Sequence, residues 1–364
     1  MSLAADLGIA FGRVAFVMLF VLNLGGLLTW VERKQSAIMQ DRIGANRASV
    51  LGFRLFGLFH PLADAIKMLT KEDFRPARAD RFLFTLAPFV SVFFALVAFA
   101  SIPFGDTLRV GDRAIPLQAV TLNVGVLYVF AMLSLGVYGV MMAGWSSGNN
   151  FALLGGQRAA ALMISAEIAI GASIMGVIMV YGSLNLQEIV RGQGYHLAGW
   201  IPLWGIVTQP LAFVLFVTAG IAATKRIPFD MPEGESEIIG YFVEYSGMKF
   251  GMFAMADFLE TVVVAGLTTA LFLGGWQVPW LFADGFRFPW GGHLGLPHLA
   301  VTLLQVGAFV GKVAAMIFVL MLIRWTLPRF RYDQAMRLGW LGLFPLSILN
   351  IVITGAILLA VRPS

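Results

Sequence analysis

No cysteine occurs among the 364 residues. Disulfides, thiolate-bound zinc, thiolate-held iron–sulfur clusters and thiol nucleophiles are thereby excluded from this chain, so any redox chemistry it serves needs borrowed groups. Charge is scarce as well: Asp, Glu, Lys and Arg make up 12% of the residues against 59% hydrophobic, and mean hydropathy is +0.83. Soluble domains average roughly 45–50% apolar residues, so the chain reads as an integral membrane protein. G-x-G-x-x-G after a strand, G-x-x-x-x-G-K-[ST] and H-E-x-x-H are all missing, which leaves nucleotide binding and zinc hydrolysis without support. The four histidines, His60, His196, His293 and His298, are scattered, and His293 and His298, close in sequence, fall in one loop and are read as lacking carboxylate company. A metal site needs three or four convergent ligands, so none is expected. The pI of 9.6 does not argue for nucleic acid, because basic charge in membrane proteins collects in cytoplasmic loops.

What is present is a series of apolar runs. Taking about 20 residues per crossing, eight spans fall at 8–31, 82–104, 118–143, 160–182, 200–223, 250–274, 299–323 and 338–361. The sequence therefore predicts an all-α polytopic membrane protein of one domain. The run from Leu7 to Val31 lacks a basic lead-in and a small-residue cleavage site, and it reads as a span rather than a signal peptide. Eighteen of the 25 Lys and Arg lie in the loops after spans one, three, five and seven, and five lie in the opposite loops. By the positive-inside rule both termini face away from the cytoplasm. Arg13 and Lys312 fall inside spans.

Loop 32–81 is long and amphipathic. Pro61 suits a helix start, and Leu62, Ile66 and Leu69 then share one face with Asp64, Lys67 and Lys71 elsewhere, which predicts a helix along the membrane surface. The opposite loop 275–298, rich in Trp, Phe, Gly and Pro, reads as an interfacial segment without chemistry. Thr224–Glu237 is different, with four carboxylates and two cations in fourteen residues. One reading is a capping box at Asp230 and Glu233. Another is a continuing helix on which Asp230, Glu233, Glu237, Tyr241 and Glu244 form one acidic and phenolic stripe, needing either raised pKa values or facing cations. Three further acids lie within spans: Glu167, Asp257 and Glu260. A carboxylate at mid-membrane costs about 2.5 kcal/mol or more, so such groups are functional candidates, with a static pair to a neighbouring Arg or Lys as the plainer alternative.

On these residues alone, two functional classes stand open: a free-standing ion transporter, and a membrane subunit that binds a lipid-soluble redox carrier and couples its reduction to ion movement. An inert anchor would leave the buried acids unexplained. The broad basic loop 32–81 favours the second class, since a minimal transporter has no need of such a docking surface.

Several motifs in order then resemble one family. They are Glu32-Arg33-Lys34, Gln40-Asp41-Arg42-Ile43-Gly44-Ala45-Asn46-Arg47, Pro61-Leu62-Ala63-Asp64-Ala65-Ile66-Lys67 and Ala79-Asp80-Arg81-Phe82. Gly144-Trp145-Ser146-Ser147, Arg226-Ile227-Pro228-Phe229-Asp230, Glu244-Tyr245-Ser246-Gly247-Met248-Lys249-Phe250 and Arg329-Phe330-Arg331-Tyr332-Asp333-Gln334 follow. Together they are similar to the H, or first membrane, subunit of proton-pumping NADH:quinone oxidoreductase, respiratory complex I. The resemblance implies a subunit in the bacterial inner membrane that joins the membrane arm to the peripheral arm. It binds no cofactor itself, while partner subunits carry FMN and iron–sulfur clusters and bind NAD(H). Arg33, Arg42, Arg47, Asp64 and Lys67 would line or brace the entrance of a quinone tunnel, with Arg226 and Phe229 at the tunnel or a subunit interface. Asp230, Glu233, Glu235, Glu237 and Glu244 would form an acidic funnel that Glu167 and Asp257 continue inward. Glu260 has no counterpart in this resemblance.

The chain departs from the family pattern at Ala45 for proline, Ala166 for tyrosine, Ala223 for an acid, Asp257 for glutamate and His60 for glutamine. The homologous subunit of membrane-bound hydrogenases shares the framework. The complete set of motifs in loop 32–81 favours the quinone enzyme.

Overall fold

Long runs of Leu, Val, Ile, Phe and Ala place backbone amides where only the backbone itself can satisfy them, and the chain answers with helices. The computed structural model describes residues 3–110, 113–197, 200–232, 234, 238 and 240–361. In order the helices are α1 (Leu3–Met39), α2 (His60–Thr70), α3 (Arg81–Ala98), α4 (Gly125–Ser146), α5 (Asn150–Tyr181), α6 (Leu186–Gly192), α7 (Gly205–Thr208), α8 (Pro210–Ala223), α9 (Gly247–Phe272), α10 (His298–Thr326), α11 (Tyr332–Arg337) and α12 (Phe344–Val361). Among the described residues, seven helical stretches are long and apolar enough to cross a membrane: Asp6–Met39, Arg81–Ser101, Gly125–Ser146, Asn150–Tyr181, Gly247–Phe272, His298–Thr326 and Tyr332–Val361. The fold is the all-α polytopic class expected.

The run at 200–223 takes a different form. Its helix α8 has 14 residues, about 21 Å at 1.5 Å per residue, short of a bilayer core of about 30 Å. Proline explains the late start. Gln209, directly before Pro210, has φ −140° and ψ 58°, outside the helical region that a following proline disfavours. Its side chain is bound instead, donating to Thr354 Oγ1 at 2.9 Å and accepting from Asn350 Nδ2 at 2.9 Å, which ties α8 to α12. The last span likewise opens with a π-helical stretch, Leu338–Leu343, before α12.

α9 lies at the centre. It packs against α1, α2, α3, α6, α7, α8 and α10, and every residue from Leu259 to Phe272 is buried. α3 runs along α4, α4 along α5, and α5 against α8 and α12. Small residues permit the closest approach: a Cβ on Gly139 of α4 would lie 2.8 Å from Ser91 N and 3.0 Å from Ala87 O of α3. Such contacts are the usual means by which helices associate where lipid removes the hydrophobic drive.

The surface helix forms where expected. Pro61 stands in the first turn of α2, none of its residues is buried, and Leu62, Ile66 and Leu69 all face outward. Arg33 of α1 holds it through Asp64 at 2.7 Å. Beyond its end, Ser246 Oγ donates to Glu72 O at 3.1 Å and Lys249 pairs with Asp73 at 2.9 Å, fastening the segment to the start of α9. Among the described residues the strands are short antiparallel pieces at the other end of the bundle: β1 (Thr107–Val110) with β2 (Arg113–Pro116), β3 (His196–Leu197) with β4 (Ile201–Pro202), and a sheet of β5 (Leu281–Phe282), β6 (Gly285–Arg287) and β7 (His293–Gly295). The last sheet occupies loop 275–298, where Phe288 and Trp290 stack at 4.7 Å.

Candidate functional site

Where α8 ends, the chain turns sharply and Lys225 takes a φ of +55°. A non-glycine residue in this region costs about 1–3 kcal/mol and persists only where surroundings enforce it. Here the turn aims the lysine into the bundle. Its Nζ lies 2.8 Å from Asp257 Oδ1 and 3.3 Å from Glu260 Oε2, with the lysine side chain 2% exposed. Asp257 and Glu260, three apart on α9, share the face that receives it. Burial alone favours the neutral amine, yet Asp257, Glu260 and the phenol of Tyr241 hold the Lys225 pKa well above the ordinary lysine range.

Next to this cluster, Glu32 near the end of α1 divides its two oxygens between Arg226 at 3.3 Å and Arg324 of α10 at 3.2 Å. The Arg226 guanidinium also lies 4.4 Å above the Phe258 ring. Asp230 meets Arg329 at 2.9 Å. Burial pushes the Asp230 carboxyl above the usual aspartate range, while Arg329 and Arg324 pull it back. Its second oxygen, Oδ1, is buried without a hydrogen-bond partner. Glu32, Lys225, Arg226, Asp230, Asp257 and Arg324 line a cavity of about 200 Å³, walled elsewhere by Phe242, Phe250, Phe253 and Phe258. Counting Glu260 and Arg329 as well, four carboxylates and four cations gather here among the described residues. A densely charged, poorly solvated network of this kind responds strongly to one added or removed charge.

The structure thus brings together Arg226, Asp230 and Asp257 of the expected residues. Phe229 sits beneath them, its ring 5.4 Å from that of Phe330, and Phe330 N donates to Pro228 O at 2.9 Å. Glu167 on α5 is separate and accepts from Ser134 Oγ of α4 at 2.8 Å. Glu244 accepts from Asn149 Nδ2 at 2.8 Å. Arg33 and Asp64 pair at the surface helix, whereas Arg42, Arg47 and Lys67 are exposed and away from the cavity lining. Glu233, Glu235 and Glu237 lie outside the described residues.

The continuous acidic stripe is not formed. Asp230, Tyr241 and Glu244 stand in turns and irregular backbone rather than on one helix. Gly240 takes φ +117°, at which a helix cannot continue toward Tyr241 and Glu244. Glu260, which the resemblance does not support, proves buried and engaged. Lys225, Glu32, Arg324 and Arg329 are the members that sequence reasoning did not assign to the site. The available signal was charge balance: acids inside spans require cations, and the Arg-rich ends of α10 and the Lys225-Arg226 pair were the nearest supply.

Tyr245 packs edge-on against Phe253 of the cavity wall and stacks on Phe84 at 4.0 Å, with its hydroxyl 3.3 Å from Ser146 Oγ. Burial raises its pKa to about 12, against a partly opposing hydrogen bond with Ser146. A larger cavity of about 660 Å³ lies elsewhere, near the start of α10 between Arg109, Arg191 and His298, and contains none of the expected site residues. Chemically, the smaller cavity can hold protons on carboxylates whose charge is set by close cations, next to acids embedded in a central helix.

A family model described as NADH dehydrogenase matches residues 12–355. The chain is 44% identical over 357 residues, 98% of each chain, to the first NADH-quinone oxidoreductase H subunit of Geobacter metallireducens. It is 44% identical over 332 residues, 91% of each, to the protein of the same name in Cytophaga hutchinsonii. With the NADH-quinone oxidoreductase H subunit of Thermomicrobium roseum the identity is 45% over 349 residues, 94% of each chain.

Proposed function

The chain belongs to the NADH dehydrogenase family, and from that premise we propose that it is the subunit of an NADH-quinone oxidoreductase that shapes the quinone site and couples quinone reduction to proton movement. The charged cavity at the junction of α1, α9, α10 and the turn after α8 is the observation that carries this reading. Reduction of a quinone to a quinol takes up two electrons and two protons. The electrons come from partner subunits, which carry the flavin and iron–sulfur clusters and bind NAD(H); this chain handles charge and protons.

Negative charge appearing on the quinone in a low-dielectric site raises the proton affinity of neighbouring carboxylates. Asp230, already raised by burial, is the first to respond in this scheme. A change in charge at Asp230 or Glu32 is felt by Arg226 and Arg324, and through the adjoining Lys225 by Asp257 and Glu260 on α9. The cluster thereby links the cavity to acids inside the membrane span. The surface helix, braced by Arg33 and Asp64, forms one side of the approach path, and its outward Leu62, Ile66 and Leu69 rest on lipid. The subunit resides in the bacterial inner membrane with both termini outside the cytoplasm, alongside other membrane-arm and peripheral-arm subunits.

Gentle purification of the tagged chain with its partners, followed by cofactor analysis and an NADH:quinone assay on one sample, tests the reading. FMN, iron–sulfur clusters and inhibitor-sensitive quinone reduction are expected. Nickel without flavin would instead identify a hydrogenase assembly, and purification of the chain alone with ion transport in vesicles would identify a transporter.

A further inference from the structure

Arg13 stands ten residues into α1, inside an apolar stretch that qualifies as a membrane span. An arginine there costs about 2.5–3.5 kcal/mol on insertion scales, and such residues are met by a counter-charge or reach toward polar surroundings. Among the described residues Arg13 has no ion pair, and its Nε is buried without a hydrogen-bond partner. Glu32 is 19 positions further along the same helix, about 28 Å away at 1.5 Å per residue, so this is not part of the charged cavity.

Two cavities share Arg13 and Ile9 as a common wall. The first, about 290 Å³, is apolar, formed by Phe16, Val17, Phe104, Leu117 and Val306. Besides Arg13, Gln118 lines it, 3% exposed, with its Oε1 buried and unpartnered. The second, about 330 Å³, carries Arg113 of β2 and Asp6 beside Arg13, two cations against one carboxylate among the described residues. Hydrocarbon suits the first and an anionic oxygen group the second. An amide at the boundary can serve an ester through its Nε2 donors, because an ester offers acceptor oxygens alone.

We propose that this pair of cavities is a binding site for an anionic glycerophospholipid, its phosphodiester held by Arg13 and Arg113, its glycerol ester region at Gln118 and one acyl chain against Phe16, Val17 and Phe104. Charge complementarity selects the phosphate: two guanidinium groups outweigh Asp6, and guanidinium–phosphate pairs are strong and directional. The apolar half separates this ligand from free phosphate, which has nothing to place there.

The test is phospholipid content of the assembled complex, purified in mild detergent and counted by mass spectrometry. Arg13→Gln should release one phospholipid per assembly. Gly12→Phe provides a second route, because a Cβ at Gly12 meets nothing within 4 Å and Gly12 lines the apolar cavity; it should release the same lipid while Arg13 stays intact. Phosphatidylglycerol, but not millimolar inorganic phosphate, should raise the melting temperature of the delipidated assembly. A photoreactive residue at Phe16 should yield a lipid adduct. An unchanged lipid count in both variants overturns the proposal, as does equal stabilisation by inorganic phosphate, which identifies a free-anion site. A polypeptide adduct from position 16 overturns it too, identifying a partner chain as the occupant.

Discussion

Lys225 reaches from the turn after α8 to Asp257 on the central helix, 2.8 Å away, and this contact joins the cavity lining to the interior of a membrane span. Its geometry combines a strained backbone with a fully enclosed charge. Neither would persist without the other: the turn aims the lysine, and the two carboxylates hold the turn.

Lys225→Met should therefore be among the most damaging substitutions. Removing one partner of a buried pair typically costs about 3–5 kcal/mol, because the other charge is left uncompensated. We expect lower assembly and a lower melting temperature. The same change combined with Asp257→Asn and Glu260→Gln should cost less than the sum of the separate effects. Strict additivity in melting experiments would show that the three groups do not act as one unit.

Glu167→Gln should lower quinone reduction and proton movement together, by at least about tenfold if the group transfers protons, while the complex still assembles. Ser134→Ala, which removes only the donor at 2.8 Å, should have a smaller effect. Full activity of the glutamine variant in proteoliposomes would remove Glu167 from the route.

Asp230 gives a pH dependence with a definite sign. Its folded pKa is raised by burial, so below the ordinary aspartate value of 3.8 both folded and unfolded chains hold the proton. Above that value the unfolded chain releases it first, and stability declines as pH rises through the raised folded value. Asp230→Asn should flatten this part of the profile in melting temperature against pH. A slope identical to that of the unaltered protein would rule out Asp230 as its source.

Gly139→Ala tests the packing. The added methyl would press on Ser91 N at 2.8 Å and Ala87 O at 3.0 Å, both main-chain atoms, besides the Ser91 hydroxyl. Overpacking of this kind costs about 1–3 kcal/mol. The expected readout is a lower melting temperature with little change in the quinone KM of whatever complex survives.

Much of this architecture is legible in the sequence. Pro61 with Leu62, Ile66 and Leu69 announces α2, because helical periodicity and proline placement are local. The span acids are legible for the same reason: an Asp257 or Glu260 within an apolar run stands out by composition. Distance in the chain hides the rest. Nothing local in Glu32 indicates that its partners are Arg226 and Arg324, and nothing near Glu260 indicates Lys225. The short α8 could be anticipated from Pro210, yet composition through 200–223 remains apolar and conceals the break. The helical stripe fails where Gly240 turns the backbone before Tyr241 and Glu244, against a favourable spacing of acids.

Glu32 bound between Arg226 and Arg324 also bears on how the protein is made. Chains grow from the N-terminus and fold in that order, so the first helix waits in the bilayer with its glutamate until α10 has been synthesised. Every chain that stops before Arg324 leaves the carboxylate and Arg226 one cation short of their final arrangement. An unfinished subunit thus differs from a finished one by one positive charge at this contact, and its Glu32 Oε1 waits without the cation that the completed chain supplies.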